Sequence, residues 1–112
     1  MSSVRESQTA VLERGIVVED EFATEPFEAA WASEARWFLQ FLAAGAGEVS
    51  VRTQISADGL VWVDHESLAV SGAMRGVLTT SVSDFGHWLR LVVTPSEGDS
   101  AALARVYLAL KE

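Results

Sequence analysis

The chain has no cysteine among its 112 residues, so a disulfide framework and a thiolate metal site are both excluded. Basic side chains are also few, because 8 Lys and Arg stand against 16 Asp and Glu, for a formal charge of −8. An acidic protein is repelled by phosphate backbones, so we expect no nucleic-acid partner.

A long apolar segment is missing as well. The longest apolar run, residues 37–47, is interrupted by Gln40 and is too short to span a bilayer, so no membrane partner is expected. The N-terminus lacks the apolar core of a signal peptide, because Glu6 and Glu13 interrupt it. The sequence therefore predicts synthesis in the cytoplasm without a signal peptide.

Catalytic and metal-binding motifs are also absent. No Gly-x-Ser-x-Gly, His-Glu-x-x-His or phosphate-binding Gly-rich loop occurs. His65 lies between Asp64 and Glu66, but neighbours on a strand point to opposite faces, so the three cannot converge on one atom. The acidic segment 19–28 lacks the spacing of a calcium loop, and is either a solvated loop or a contact for a basic partner. We therefore expect no enzyme, no cofactor and no metal site.

What the chain does contain is enough apolar material for one core. Hydrophobic residues make up 49% of it, with four Trp and five Phe. Strict alternation of period two predicts strands at 49–56, 88–94 and 105–111. Weaker patterns add strands at 9–18 with a bulge at Gly15, 35–43, 60–66 and 74–82. Turn residues separate them at 45–47, 58–59, 71–72, 84–86 and 95–99.

Segment 25–44 also admits a second interpretation, because its alanines and other good helix formers favour an amphipathic helix. Against the helix, the large apolar side chains spread around the helical wheel, so we favour a strand at 35–43. The sequence thus predicts an all-β protein, a single antiparallel β-sandwich of about seven strands with a jelly-roll or discoidin-like layout. An N-terminal arm (1–8) precedes the sandwich domain (9–112).

The run Ile55–Trp62, "ISADGLVW", predicts a tight hairpin. Asp58 and Gly59 stand between two alternating segments, and Gly accepts the positive φ that such a turn requires. Ser56 is placed to bond the turn backbone, and we expect Trp62 to fold back into the core. A structural role is the simplest interpretation, and a carbohydrate or lipid site at the turn is the alternative.

The same spacing carries a resemblance. The hairpin "VRTQISADGLVW" and the late strands "GHWLRLVVTP" and "ARVYLALK" resemble those of discoidin-like sandwich domains. The layout also resembles small sandwich domains of phage virion accessory proteins and bacterial coat-like proteins. The second resemblance implies a structural subunit of a virion or shell particle, whereas the first implies a carbohydrate-binding module.

One surface is predicted to carry the contact. If strands 88–94 and 105–111 pair with each other, Trp88, Arg90, Arg105 and Tyr107 share one outward face, and these residue types are enriched at interfaces. The alternative is that the Trp88 indole packs beneath a loop or against the N-terminal strand. We therefore expect a non-enzymatic structural subunit that docks on or assembles into a larger protein assembly, as a homo-oligomer or with another protein. The alternative function is a discoidin-type carbohydrate-binding module.

Overall fold

A computed structural model describes residues 6–96 and 101–112, and it shows ten strands in two packed antiparallel sheets. The all-β sandwich predicted from the alternation is confirmed, with ten strands in place of seven. The strands are β1 (Ser7–Val18), β2 (Phe22–Ala23), β3 (Phe27–Glu28), β4 (Glu34–Ala43), β5 (Glu48–Ser56), β6 (Val63–Asp64), β7 (Val70–Ala73), β8 (Val77–Ser83), β9 (Trp88–Pro95) and β10 (Ala102–Lys111).

Most strands that are neighbours within a sheet are not consecutive in the sequence. The first sheet, called sheet A, has the order β1-β10-β4-β8. The second, sheet B, has the order β2-β9-β5-β6, with β3 also paired to β9 and β7 also paired to β5. The first and last long strands are therefore neighbours, since Gln8 pairs with Leu110 and Val18 with Ala102.

The core lies between the inner faces of the sheets. Alternate residues of β10 are buried, from Ala102 to Leu110, and Leu89, Leu91 and Val93 of β9 face them from sheet B with no exposed surface. Trp37 of β4 is also buried, and its indole Nε1 donates a 3.0 Å hydrogen bond to the Thr53 hydroxyl of β5. This bond joins sheet A to sheet B through the middle of the core.

Segment 34–43 is a strand and not a helix. Ala35, Trp37, Leu39 and Phe41 are buried while the residues between them are half-buried or exposed, which is the period of a strand with one inward face. Pairing with β10 and β8 on both sides overrides the local helix propensity of the alanines. The bulge predicted in β1 is confirmed as well, because its register with β10 shifts between Glu13 and Ile16, around Gly15.

Two of the weaker strand predictions need correction, and two strands were not predicted. The strand expected at 60–66 is only β6, and the residues before it form a loop. The strand expected at 74–82 is β8, and β7 lies before it where a turn at 71–72 was predicted. The short β2 and β3 were not predicted, because two-residue strands leave no alternation to detect.

The ends of the described segments limit two further predictions. Residues 1–5 of the predicted N-terminal arm lie outside the described residues, and Ser7 and Gln8 belong to β1. Residues 97–99 of the predicted turn at 95–99 also lie outside them. Within the described residues, no helix has the length and apolarity needed to cross a membrane.

Candidate functional site

The loop that follows β5 is fixed by two side chains. It covers residues 57–62 and joins β5 to β6, which pair antiparallel, so the predicted hairpin is formed. Its turn has six residues and not the two predicted at Asp58 and Gly59, although Gly59 does have a positive φ of 81°. The Ser56 hydroxyl accepts hydrogen bonds from the backbone N–H groups of Gly59 (2.8 Å) and Asp58 (3.3 Å). Ser56 thus bonds the turn backbone as predicted.

The Asp58 carboxylate holds the far side of the same loop. Its Oδ1 accepts hydrogen bonds from the backbone N–H groups of Leu60 (2.9 Å) and Val61 (3.0 Å) and from the Ser56 hydroxyl (3.0 Å). The bonds from Val61 and then Leu60, followed by that from Ser56, lower the pKa of Asp58 below its ordinary value of 3.8. The loop therefore presents a charged carboxylate at neutral pH.

Trp62 lies outside the core, and its predicted burial is wrong. It is half-buried on the outer face of sheet B, where the Arg90 guanidinium lies 4.5 Å from the ring centroid. The physical reason is the length of the loop. A two-residue turn would have placed Trp62 within the next strand, whereas in the six-residue loop Trp62 is the last loop residue before β6. Arg90 in turn donates a 2.8 Å hydrogen bond to Gln54 on β5.

A polar network continues across that face. Gln54 donates a 2.8 Å hydrogen bond to Oδ1 of Asp64, and Arg52 donates a 3.2 Å bond to the same atom. The bond from Gln54, followed by those from Arg52, lowers the pKa of Asp64 below its ordinary value of 3.8. The network ties β6 to β5 and β9, so the end of the loop is anchored to the sheet.

Trp88 supports the loop from below. A Cβ atom added to Gly59 would lie 3.3 Å from Cε2 of the Trp88 ring, so the loop backbone rests almost directly on the indole. The His87 ring stacks beside it with centroids 5.5 Å apart. The interpretation in which Trp88 packs beneath a loop is thus confirmed.

The four predicted interface residues do not share one face. Trp88 and Arg90 lie on sheet B, whereas Arg105 and Tyr107 lie on sheet A, since β9 pairs with β5, β2 and β3 while β10 pairs with β1 and β4. The pairing predicted between these consecutive strands is wrong, because β9 belongs to sheet B and β10 to sheet A. Arg105 donates to the Arg14 carbonyl (2.9 Å) and to the Tyr107 hydroxyl (3.4 Å).

A cleft opens between the loop and the turn at 84–87. Its volume is about 420 Å³, and most of its lining is apolar. The lining residues are Ile55, Ser56, Ala57, Asp58, Val61, Val63, Phe85, Gly86 and His87. Three neighbouring side chains of this loop and of β6 are unusually exposed, with Leu60 at 82%, Val61 at 70% and Val63 at 57%. We call this cleft with Leu60 the apolar end.

Sequence reasoning missed the apolar end. The signal was present as the apolar run Leu60-Val61-Trp62-Val63 directly after the Asp-Gly turn, and it was assigned to a half-buried strand. Phe85 was missed because it lies in a predicted turn, yet its side chain is buried. Of the predicted hairpin residues, Ser56 and Asp58 line the cleft. Gly59 and Trp62 do not line it, since Gly59 lies against Trp88 and the Trp62 ring lies against Arg90.

A second pocket of about 590 Å³ lies beside His65 and the ends of β4, β8 and β10. The His65 side chain is buried, and its Nδ1 accepts a 3.0 Å hydrogen bond from the Ser67 N–H, so its proton is on Nε2. Nε2 then donates to the carbonyls of Ser83 and Asp84 and contacts Glu66. His65 therefore fastens its loop to the end of β8. The described residues contain no group of three or more His, Asp or Glu side chains placed to hold a metal ion.

The alanine substitution of Gly59 tests the contact with Trp88. Gly86→Ala is the matched control, because Gly86 has the same backbone conformation (φ 80°) and open space around the added Cβ. We expect Gly86→Ala to cost about 1 kcal/mol for the backbone alone. Gly59→Ala should cost about 1 kcal/mol more, since the Trp88 ring must move. Equal midpoints in urea unfolding would contradict the support role of Trp88.

Fold and site together define a small all-β sandwich with an apolar cleft at one end. No protein-family profile matches the chain, and no curated protein matches it. Among solved structures, the SPBc2 prophage-derived protein YomS has a TM-score of 0.62 at 5% identity, covering 100% of this chain and 98% of its own. This likeness shows a shared fold.

Two further solved structures have lower TM-scores. A Bacillus endospore appendage protein, described as forming disulfide-linked pili, has a TM-score of 0.46 at 10% identity, covering 96% of this chain and 86% of its own. PirA has a TM-score of 0.44 at 19% identity, covering 96% of this chain and 95% of its own. The discoidin-like resemblance of the hairpin is not confirmed, because the tight turn that carries it is not formed.

Proposed function

We propose that this chain is a non-enzymatic structural subunit that docks on a larger protein assembly through its apolar end. The observation that carries the proposal is the exposure of Leu60, Val61 and Val63 beside an apolar cleft. Adjacent apolar side chains exposed in this way mark contact sites on soluble proteins. The unfavourable free energy of exposing these apolar side chains to water is removed when a partner covers them.

The rigidity of the loop supports the proposal. Ser56 and Asp58 satisfy four backbone N–H groups of the loop, and Trp88 supports it from below. A loop held in this way cannot fold its apolar side chains back into the core. It also loses little conformational entropy on binding, so more of the contact energy appears as affinity.

The chemistry of the site indicates its partner. The cleft takes an aliphatic or aromatic side chain of a protein, against Phe85 and Val63. The second carboxylate oxygen of Asp58 has no hydrogen-bond partner within the described residues, so a Lys or Arg beside that side chain would pair with it. The net charge of −8 favours the same basic partner surface.

The aromatic side chains favour a protein partner over a sugar. The Trp62 ring already carries the Arg90 guanidinium, and the Trp88 ring lies against Gly59 and His87. Each indole thus has a contact within the molecule, which leaves less ring surface for stacking on a sugar than a carbohydrate-binding module offers. We place the partner on a virion or shell particle, which is compatible with the fold shared with a prophage-derived protein.

Co-sedimentation tests this function. The chain is expressed together with the proteins of its genomic neighbours, and large particles are separated on a density gradient. We expect the wild type on the particle, and Val61→Asp to weaken its binding about thirtyfold, as for truncation of an interface hot spot. Leu68→Asp is the control: it adds the same charge at a side chain that is 88% exposed and lies outside the cleft.

Two results would contradict the proposal. One is a wild-type chain that stays free of every particle and is retained on a glycan column, which indicates the carbohydrate-binding alternative. The other is equal loss of particle binding in Val61→Asp and Leu68→Asp, which would show that the apolar end is not the contact.

A further inference from the structure

Strand β8 is an edge of sheet A without the features that usually protect edges. The opposite edge, β1, has two register shifts and carries Glu13 and Arg14, and the outer strands of sheet B are two to four residues long. By contrast, β8 reads Val-Leu-Thr-Thr-Ser-Val-Ser, without a charge or a proline, and pairs with β4 in one unbroken register. Regular uncharged edges of this kind accept another strand.

The open backbone groups of β8 can be assigned from its pairing. Phe41 N–H donates to the Gly76 carbonyl at 2.8 Å, and the hydrogen-bonded pairs alternate from there along β4 and β8. The inward residues Leu78, Thr80 and Val82 therefore bond β4. Val77, Thr79, Ser81 and Ser83 direct their N–H and C=O groups to the open side.

The far end of this open side is already occupied. The Ser83 carbonyl accepts the 3.0 Å hydrogen bond from His65, as its outward direction requires. No hydrogen bond within the described residues reaches the outward backbone groups of Val77, Thr79 and Ser81. The accessible ladder is thus the segment 77–81.

We propose that two copies of this chain pair through β8, antiparallel, with Thr79 opposite Thr79 and Val77 opposite Ser81. Three residue pairs then exchange two hydrogen bonds each, and the two copies of sheet A become one continuous sheet. The contact goes beyond docking at the apolar end, because it uses a different surface and a second copy as partner.

Charge favours a second copy in this orientation. Arg75 precedes β8 and Asp84 follows it, and both are exposed. Antiparallel pairing brings Arg75 of each copy beside the end of β8 that carries Asp84 in the other, whereas parallel pairing would bring like charges together. The ladder itself holds no charge, so the acidity of the chain does not act within it. A contact this short buries little surface, so the dimer dissociates on dilution.

Sedimentation velocity of the isolated full chain tests the pairing. We expect a monomer–dimer equilibrium between micromolar and millimolar concentration. The double variant Val77→Lys with Ser81→Lys should weaken the dimer about tenfold or more, because like charges then face each other at two positions. It does so although it lowers the net negative charge, so general repulsion cannot explain the loss.

The matched control is the double variant Val77→Lys with Ser81→Glu, which places opposite charges at the same two positions and should dimerise at least as well as the wild type. Amide hydrogen exchange gives a second readout: the amides of Val77, Thr79 and Ser81 should become protected as concentration rises, and those on the open side of β1 should not. A monomer at every concentration, equal behaviour of the two double variants, or protection elsewhere would overturn the pairing. None of these results bears on particle docking by the apolar end.

Discussion

Replacing Trp37 with alanine is expected to lower the free energy of unfolding by about 3–5 kcal/mol. The side chain is only 1% exposed and lies between the two sheets, so its removal leaves a large cavity that the surrounding strands cannot fill. It also removes the indole N–H that donates a hydrogen bond to the buried Thr53 hydroxyl. The free energy of unfolding of a domain of this size is about 5–15 kcal/mol, so the variant loses a large fraction of its stability.

Urea unfolding followed by circular dichroism measures the change, and Trp62→Ala is its control. Trp62 is half-buried and its ring lies against the Arg90 guanidinium on the outer face of sheet B, so that variant should lose about 1 kcal/mol. Trp37→Phe separates packing from hydrogen bonding, because it keeps most of the ring and loses only the bond to Thr53. A larger effect at Trp62 than at Trp37 would show that the wrong indole has been placed in the core.

Leu108→Ala should have the second largest effect, a loss of about 2–5 kcal/mol. Leu108 is at the middle of β10, where Ala10 of β1 and Trp37 of β4 pair with it, and it has no exposed surface. A cavity here opens beneath three strands of sheet A at once. Since β1 depends on β10 for its ladder, we expect the unfolding of both strands in one transition.

Leu103→Ala is the matched control for Leu108→Ala. It removes the same atoms from the same strand, but Leu103 lies on the outer face of sheet A and is 36% exposed, so the loss should be about 1 kcal/mol. Comparison of the two midpoints in urea therefore isolates burial from strand position. A larger loss for Leu103→Ala than for Leu108→Ala would mean that the inner and outer faces of β10 have been exchanged, and similar losses would contradict the role given to burial.

The inward faces of the long strands could be predicted from the sequence because their signal is local. Alternation on β5, β9 and β10 assigned inward residues such as Val49, Leu89 and Leu108, and all three are buried. No inward face was predicted for β4, so the burial of Trp37 came from the structure. Gly59 and Gly15 were also predicted correctly, since a positive φ and a bulge each depend on a few neighbouring residues. The short strands could not be found, because two residues carry no period.

The candidate site was predicted only in part, for a different reason. Ser56 and Asp58 were identified from turn chemistry that acts within three residues. The cleft itself needs the turn at 84–87 beside the loop at 57–62, and no local pattern brings these together. Because local patterns do not show which strands pair, one interface was predicted where the structure has two sheets. The residues concerned are Trp88 and Arg90 on sheet B and Arg105 and Tyr107 on sheet A.

The sequence by itself determined the strand character of the chain, the faces that β5, β9 and β10 bury, the acidic net charge and the absence of cysteine. These properties follow from composition and from the two-residue period of an extended backbone. Only the tertiary structure decided that β10 lies between β1 and β4, that β9 lies in the other sheet, and that Trp62 stays outside the core. Strand pairing depends on contacts between residues far apart in the chain. The backbone hydrogen bonds are the same whichever strands pair, so only the packing of the whole core distinguishes one strand order from another.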